Sequence, residues 1–206
     1  MAQILKDDVR ERIINAAKEE FLEYGYKDAS MRRIAFKSHM TVGNLYRYFK
    51  NKEDINVQIV SETLNLIENS IKSKTINTIS FETRVFNITP DTEKLALMLD
   101  ELADDLVDIY EGHKQEFNIL MMHSDLNKEI TQWFSSLINY LIKENYNINT
   151  NYDVLNIISN SYAVSIFSGL RTIFSDNTLT DTKLKYLIKV YFRSYISILD
   201  NRKIAG

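Results

Sequence analysis

The sequence predicts an all-α protein built in two parts, on three observations. Only five Gly and one Pro occur in 206 residues, far too few turn formers for a sheet protein with many hairpins. Apolar residues recur at helical spacing in nearly every segment. Finally, the charge is split: the chain carries a net −3, yet residues 30–52 hold Arg32, Arg33, Lys37, Arg47, Lys50 and Lys52 with no Asp or Glu. A basic block inside an acidic chain points to a polyanionic partner for that block alone.

The totals bound the rest. The apolar fraction of 45% is ordinary and can fill a core. No cysteine occurs, which excludes disulfides, thiolate metal sites and a Cys nucleophile and fits a reducing cytoplasm. No apolar run reaches the ~18 residues that span a bilayer, and MAQILKDDVRER contains no signal-peptide core. A cytoplasmic protein with no membrane partner is the expectation.

The first helix reads as residues 8–24, with Val9, Ile13, Ala17 and Phe21 on one stripe, widened by Ile14 and Ala16, and Asp8 with Glu11 as a capping box. Gly25 stops it in a left-handed conformation, and Tyr26 packs back. Ser30 caps a second, short helix over Met31–Ser38 that turns Met31, Ile34 and Ala35 inward. Thr41 caps a third over Val42–Phe49, with Leu45 and Phe49 inward. Asn51 caps a fourth, whose first turn holds Glu53 and Asp54 and which runs through Ile55, Ile59, Leu64 and Ile67 to about residue 72. Two short helices joined by Ser38-His39-Met40 form a helix-turn-helix.

Residues 73–89 mix signals, and a loop with some helix or an isolated extended piece is expected there. Thr89-Pro90 then starts a helix with the stripe Leu95, Leu99, Leu102, Leu106 and Ile109, whose opposite face is Glu101, Asp104, Asp105 and Asp108. That acidic face reads as solvated, or as lining for a cationic ligand. Further helices are expected at about 112–122, 126–145, 152–174 and 180–200, with an Asn-rich loop before the third of these. The domain boundary is placed at residue 55, giving a helix-turn-helix domain over 1–55 and a helical domain over 56–206.

Residues 10–55 resemble the DNA-binding domain of the TetR family of transcriptional regulators. The resemblance rests on Ile34-Ala35, Ser38-His39-Met40-Thr41, Gly43, Leu45-Tyr46, Tyr48-Phe49 and Lys52-Glu53, with Ala16-Ala17, Phe21 and Tyr24-Gly25-Tyr26 before them. His39 departs from the Gly usual in that family's turn, at a cost of about 1 kcal/mol if φ is positive. Beyond residue 55 the likeness is one of length and helix order. What it implies is a dimeric, ligand-responsive regulator, most simply a repressor on a palindromic operator, whose C-terminal helical bundle binds ligand and dimerises. The resemblance further implies that ligand in that bundle changes the spacing of two recognition helices.

The third helix suits the major groove, which admits one helix. Gly43 lets the backbone approach DNA, or allows close helix packing. Asn44 can read adenine, and Arg47 can read guanine or hold a phosphate. Tyr46 and Tyr48 resemble positions that touch phosphates or thymine methyls, beside Val42, and partial core packing also suits them. Lys52 reads as a phosphate clamp, Arg32 as a backbone or edge contact, and Ser30 and Thr41 as caps whose hydroxyls also reach phosphate.

Tyr110, His113, Phe117, Met121, Trp133, Tyr162 and Arg171 are candidates for a pocket that takes a small apolar or amphipathic effector, although ordinary core packing explains most of the rings. His113 and His123, with Glu111, Glu116 and Asp125 near, lack metal-site spacing. No cofactor is implied, and no nucleophile–base pair, carboxylate dyad or Gly-rich phosphate loop is readable, so no enzyme is expected. The last two helices carry a dimer signal. Ser161, Ser165 and Gly169 form a small stripe. Leu187, Val190, Tyr191 and Ile198 face one way, and Leu184, Ile188, Tyr195 and Leu199 another, so one side meets the core and the other a partner subunit. The rival expectation is a DNA-bound scaffold whose C-terminal half holds a protein partner; a weaker one is an enzyme with a vestigial motif.

Overall fold

The computed structural model describes residues 2–78, 92–122, 128–146, 152–176 and 178–199. Every element among them is an α-helix: α1 Ala2–Asp28, α2 Met31–Lys37, α3 Val42–Leu45, α4 Lys52–Thr78, α5 Thr92–Gly112, α6 Lys114–Met122, α7 Lys128–Tyr146, α8 Tyr152–Phe174 and α9 Asp181–Leu199. The chain forms two compact units. One comprises residues 1–66 and 113–124, the other residues 67–112 and 125–206. Helix α4 contributes its first half to the first unit and its remainder to the second.

In the first unit, α1 packs on α2 and on α6, and α2 packs on α3. Its core is Ile13, Ala17, Phe21, Ile34, Leu45, Phe49 and Ile55, each at most 1% exposed, joined by Phe117 and Leu120 of α6. Helix α1 begins six residues before the expected start, so Asp8 lies inside the helix and caps nothing. At Gly25 φ is +74° and ψ 162°. This is positive φ as expected, but the extended region beyond the left-handed helix, open essentially to Gly alone. The break turns Tyr26 back onto Phe21, with ring centroids 5.6 Å apart.

In the second unit, α5 packs on α9, α7 on α8, and α9 also touches α7 and α8. The α5 stripe is as expected: Leu95, Leu99, Leu102 and Leu106 are buried. The acidic face of α5 is solvated as expected, with Glu101 and Asp108 exposed and Asp104 and Asp105 half-buried, and its acids are also paired. Asp100 pairs with Arg193, Asp104 with Lys189 and Asp108 with Lys185 of α9, while Asp105 pairs with Lys74 of α4 at 2.8 Å. Residues four apart on two antiparallel helices make three matched rungs.

Helix α4 reaches Thr78, six residues past its expected end. The remainder of the ambiguous stretch, Thr89-Pro90, His123 and Asp125 lie outside the described residues, as do the side chains of Ile198 and Leu199.

Candidate nucleic-acid interface

Three caps set the geometry of the helix-turn-helix. The Ser30 hydroxyl accepts from Arg32 N at 3.2 Å and starts α2. The Thr41 hydroxyl accepts from Asn44 N at 3.2 Å and starts α3. Asn51 Oδ1 accepts from Asp54 N at 2.8 Å and starts α4. Each cap satisfies a backbone donor that the first helical turn leaves unpaired. The turn between α2 and α3 passes through His39 at φ 57°, the conformation that favours glycine.

Helix α3 is shorter than expected. Its α-helical part ends at Leu45. Arg47 N and Tyr48 N then bond the carbonyls three residues back, Asn44 O at 3.1 Å and Leu45 O at 2.9 Å. The chain thus tightens into 3₁₀-type turns at Arg47 and Tyr48, and Phe49 N then bonds Leu45 O, four residues back, at 3.2 Å. Leu45 and Phe49 anchor this segment in the core. Gly43, Asn44, Tyr46 and Arg47 are left exposed, Tyr48 half-buried, and Val42 just exposed at 37%. A Cβ placed on Gly43 would meet nothing within 4 Å. No described helix packs there, so among the described residues the close-packing reading of that glycine finds no partner and the space above the backbone is open.

A buried carboxylate that the sequence reading passed over fixes α2 to α1. Glu20 is fully buried and accepts from Ser30 N at 3.0 Å and from Arg33 Nε at 2.5 Å. Lys37 Nζ lies 3.4 Å from its second oxygen, an ionic contact out of hydrogen-bond alignment. Lys37 also bonds Glu23 at 2.8 Å, and the Arg33 guanidinium stacks 4.3 Å from the Tyr24 ring centroid. The signal was present in the sequence: Glu20 follows Ile13, Ala16 and Ala17 on the apolar stripe, where an acid must find partners.

Lys52, expected as a phosphate clamp, is bound to backbone carbonyls of its own unit. Its ammonium donates to Tyr26 O at 2.6 Å and to Lys27 O and Ala29 O at 3.0 Å each, and lies 4.6 Å from the Tyr26 ring centroid. An ammonium has three protons, and all three are engaged. Lys52 is a strut that ties the start of α4 to the carbonyls after the Gly25 break. The Tyr26 hydroxyl bonds Glu53 beside it.

Of the six cations in residues 30–52, three are therefore occupied at home. Arg32, Arg47 and Lys50 are exposed and make no ion pair among the described residues. With Asn44 they form an outward set of one amide and three cations around a capped, glycine-opened helix start, chemistry suited to phosphates and base edges.

The seven expected ligand residues divide between the units. Phe117 and Met121 are core residues of the first, and His113 is half-buried at the start of α6. Beside it, burial pushes the Glu116 carboxyl up, but the Lys18 ammonium bonded to it holds it below its ordinary value overall. In the second unit the buried Tyr110 donates to Phe174 O at 3.3 Å. Trp133 sits edge-on to Phe134 with centroids 4.8 Å apart, and Tyr162 edge-on to Tyr195 at 6.4 Å. Arg171 is exposed.

The arrangement defines a helix-turn-helix domain joined to a second, all-helical unit. Residues 13–59 match the family model described as bacterial regulatory proteins, tetR family, and this segment is a TetR-family helix-turn-helix. The chain is 37% identical over 67 residues to the fatty acid metabolism regulator protein of Bacillus subtilis (strain 168), covering 31% of this chain and 34% of that protein. It is 39% identical over 56 residues to an HTH-type transcriptional regulator of Staphylococcus aureus (strain bovine RF122 / ET3-1), covering 27% and 30%. The chain thus spans about a third of the length of the curated relatives it matches. The fold is that of TetR-like regulators of known structure. One from Rhodococcus sp. RHA1 superimposes with a TM-score of 0.55 at 12% identity, covering 91% of this chain and 95% of that one. PfmR from Thermus thermophilus superimposes with a TM-score of 0.51 at 13% identity, covering 91% and 96%. No described helix is long and apolar enough to cross a membrane.

Proposed function

We propose that this protein is a cytoplasmic, ligand-responsive transcriptional regulator, a repressor that binds a palindromic operator as a homodimer. The observation that carries the reading is the exposed set Asn44, Arg47 and Lys50 on and after a Thr41-capped helix whose Gly43 stands in open space. The relatives' names and the family of residues 13–59 support it. Asn44 and Arg47 read bases, Arg32, Tyr46, Tyr48 and the Ser30 and Thr41 hydroxyls contact the backbone, and Val42 meets the groove wall. The effector is a small apolar or amphipathic molecule held in the second unit among rings such as Tyr110, Trp133 and Tyr162. The Bacillus relative is named for fatty acid metabolism, and an acyl chain is a molecule of that kind.

The dimer reading draws on Leu187 and Val190 of α9, 37% and 44% exposed, and on Ile157 and Val164 of α8, 67% and 53% exposed. Uncovered apolar side chains on neighbouring helices mark an association surface. They equally favour a second reading, in which this surface takes a different protein and the chain is a DNA-bound scaffold. Sedimentation separates the two: a dimer at micromolar concentration supports the first, a monomer the second. The DNA reading is tested by fluorescence anisotropy with duplexes tiled across the region upstream of the protein's own coding sequence. A duplex bound at least about a hundredfold more tightly than random DNA is expected, and equal affinity for all duplexes would sink the operator claim.

A further inference from the structure

Phe36 is 82% exposed on the middle of α2, although this helix has a core-facing side that takes Ile34 and Ala35. Ordinary helix patterning puts a polar residue at such a position, because a phenyl ring in water gains nothing from burial. Its neighbours indicate what covers it. Arg32 stands one turn before it on the same outward face, exposed and without an ion pair among the described residues. The flanking cations Arg33 and Lys37 are held by Glu20, Glu23 and Tyr24 of α1. The outward face of α2 therefore offers a polyanion one cation and one ring. In a helix-turn-helix, the first helix crosses the DNA backbone. We infer that Phe36 is an apolar DNA contact: its ring lies on the deoxyribose edge of the backbone beside a phosphate held by Arg32, and adds affinity for duplex DNA without regard to base sequence. This rests on the proposed DNA-binding function.

The physical signature separates this contact from every cationic one. Each phosphate that a Lys or Arg neutralises releases counterions and steepens the fall of affinity with salt, whereas a ring on a sugar releases none. The test compares wild type, Phe36→Ala, Phe36→Leu and Arg32→Ala by anisotropy, on an operator duplex and a random duplex, at several salt concentrations. Phe36→Ala should lose about tenfold in affinity on both duplexes with the slope of log affinity against log salt unchanged, and Phe36→Leu should recover most of the loss. Arg32→Ala should flatten the slope by about one phosphate. Phe36 touches no core, so the melting temperature of Phe36→Ala should equal that of wild type, which keeps the affinity readout clean. Unchanged affinity for Phe36→Ala, as expected if the ring docks a protein, overturns the inference. So does a changed salt slope. If wild type itself binds no duplex, the proposed function fails instead, a result distinguishable from failure of the Phe36 contact.

Discussion

The Tyr191 hydroxyl fills the space that a side chain at Gly169 would need. An ideal Cβ on that glycine would overlap both the hydroxyl and the ring. The hydroxyl donates into α8, with Ser165 O at 3.0 Å and Ile166 O at 3.2 Å in range. It also lies 3.2 Å from the Tyr195 hydroxyl. Burial, then the Tyr195 hydroxyl, pushes Tyr191 well above its ordinary value, so it stays a donor at all working pH. The small stripe on α8 therefore does not wait for a partner helix at Gly169: this chain's own tyrosine has taken the notch. Gly169→Ala should cost about 1–3 kcal/mol of stability by overpacking. In denaturant titrations its effect should be far from additive with Tyr191→Ala, which empties the notch. Additive effects would mean that the two residues do not share the space.

A dimer-breaking substitution must therefore avoid Tyr191. Val190→Arg places a charge on the uncovered side of α9 and should yield a monomer by sedimentation at micromolar concentration, with an unchanged helical circular dichroism spectrum. Operator affinity should fall far more than any local effect allows, because one half-site supplies half of the contacts. A Val190→Arg dimer would locate the interface elsewhere.

Cations in the helix-turn-helix should divide into two kinds. Arg47→Ala and Lys50→Ala should each flatten the salt dependence of DNA affinity by about one phosphate with little change in melting temperature. Lys52→Ala should do the reverse: it leaves three carbonyls without their ammonium and should lower the melting temperature by several degrees, about the effect of losing 1–3 kcal/mol. A flattened salt slope with an intact melting curve for Lys52→Ala would restore it as a phosphate contact.

His39→Gly should raise stability by up to about 1 kcal/mol, since His39 holds φ at 57° and left-handed backbone costs a residue with a Cβ about 1–2 kcal/mol, partly offset by the greater unfolded freedom of Gly. His39→Val should lower it. Both are read from urea midpoints, and equal midpoints for Gly and Val would refute backbone strain at the turn.

Acid should weaken the α5–α9 ladder from one identifiable end. Two guanidinium N–H groups of Arg193 on Asp100 hold its carboxyl below the ordinary aspartate range. A depressed carboxylate adds stability that is complete above the unfolded value, about pH 4, and is lost as pH falls through the lower folded value. The melting temperature of wild type should thus drop below about pH 4. Asp100→Asn should lower the melting temperature at pH 7 and flatten that acid limb, and a limb identical to wild type would exclude Asp100 as its source.

Local rules made much of this legible in the sequence. Ser30, Thr41 and Asn51 cap where they were expected, because a cap needs only its own side chain and a backbone N–H two or three residues on. The stripe from Leu95 to Leu106 is buried because helical period alone decides which side is apolar. Pairing across elements was not legible. Asp104 and Lys189 stand 85 residues apart, and their meeting depends on how α5 and α9 pack, so the acids read as a solvated face. The Lys52 strut was hidden for the same reason: its acceptors are main-chain carbonyls of Tyr26, Lys27 and Ala29, beyond the break at Gly25, and no side-chain pattern announces them. Asp8 failed because the residues before it continue the helix.

The three rungs between α5 and α9 repeat every four residues on both helices, and that regularity makes them a poor ruler. If α9 slid by one turn, two of the three aspartates would still face a Lys or Arg; in one direction Asp108 would meet Asp181, in the other Asp100 would meet Ser197. Coulomb attraction along the ladder tolerates such a slip at the loss of a single rung. The tyrosine notch does not repeat, since α8 offers one glycine, and Tyr191 fits only there. The charges thus bring α9 alongside, while one hydroxyl in one gap sets where along its axis it stops.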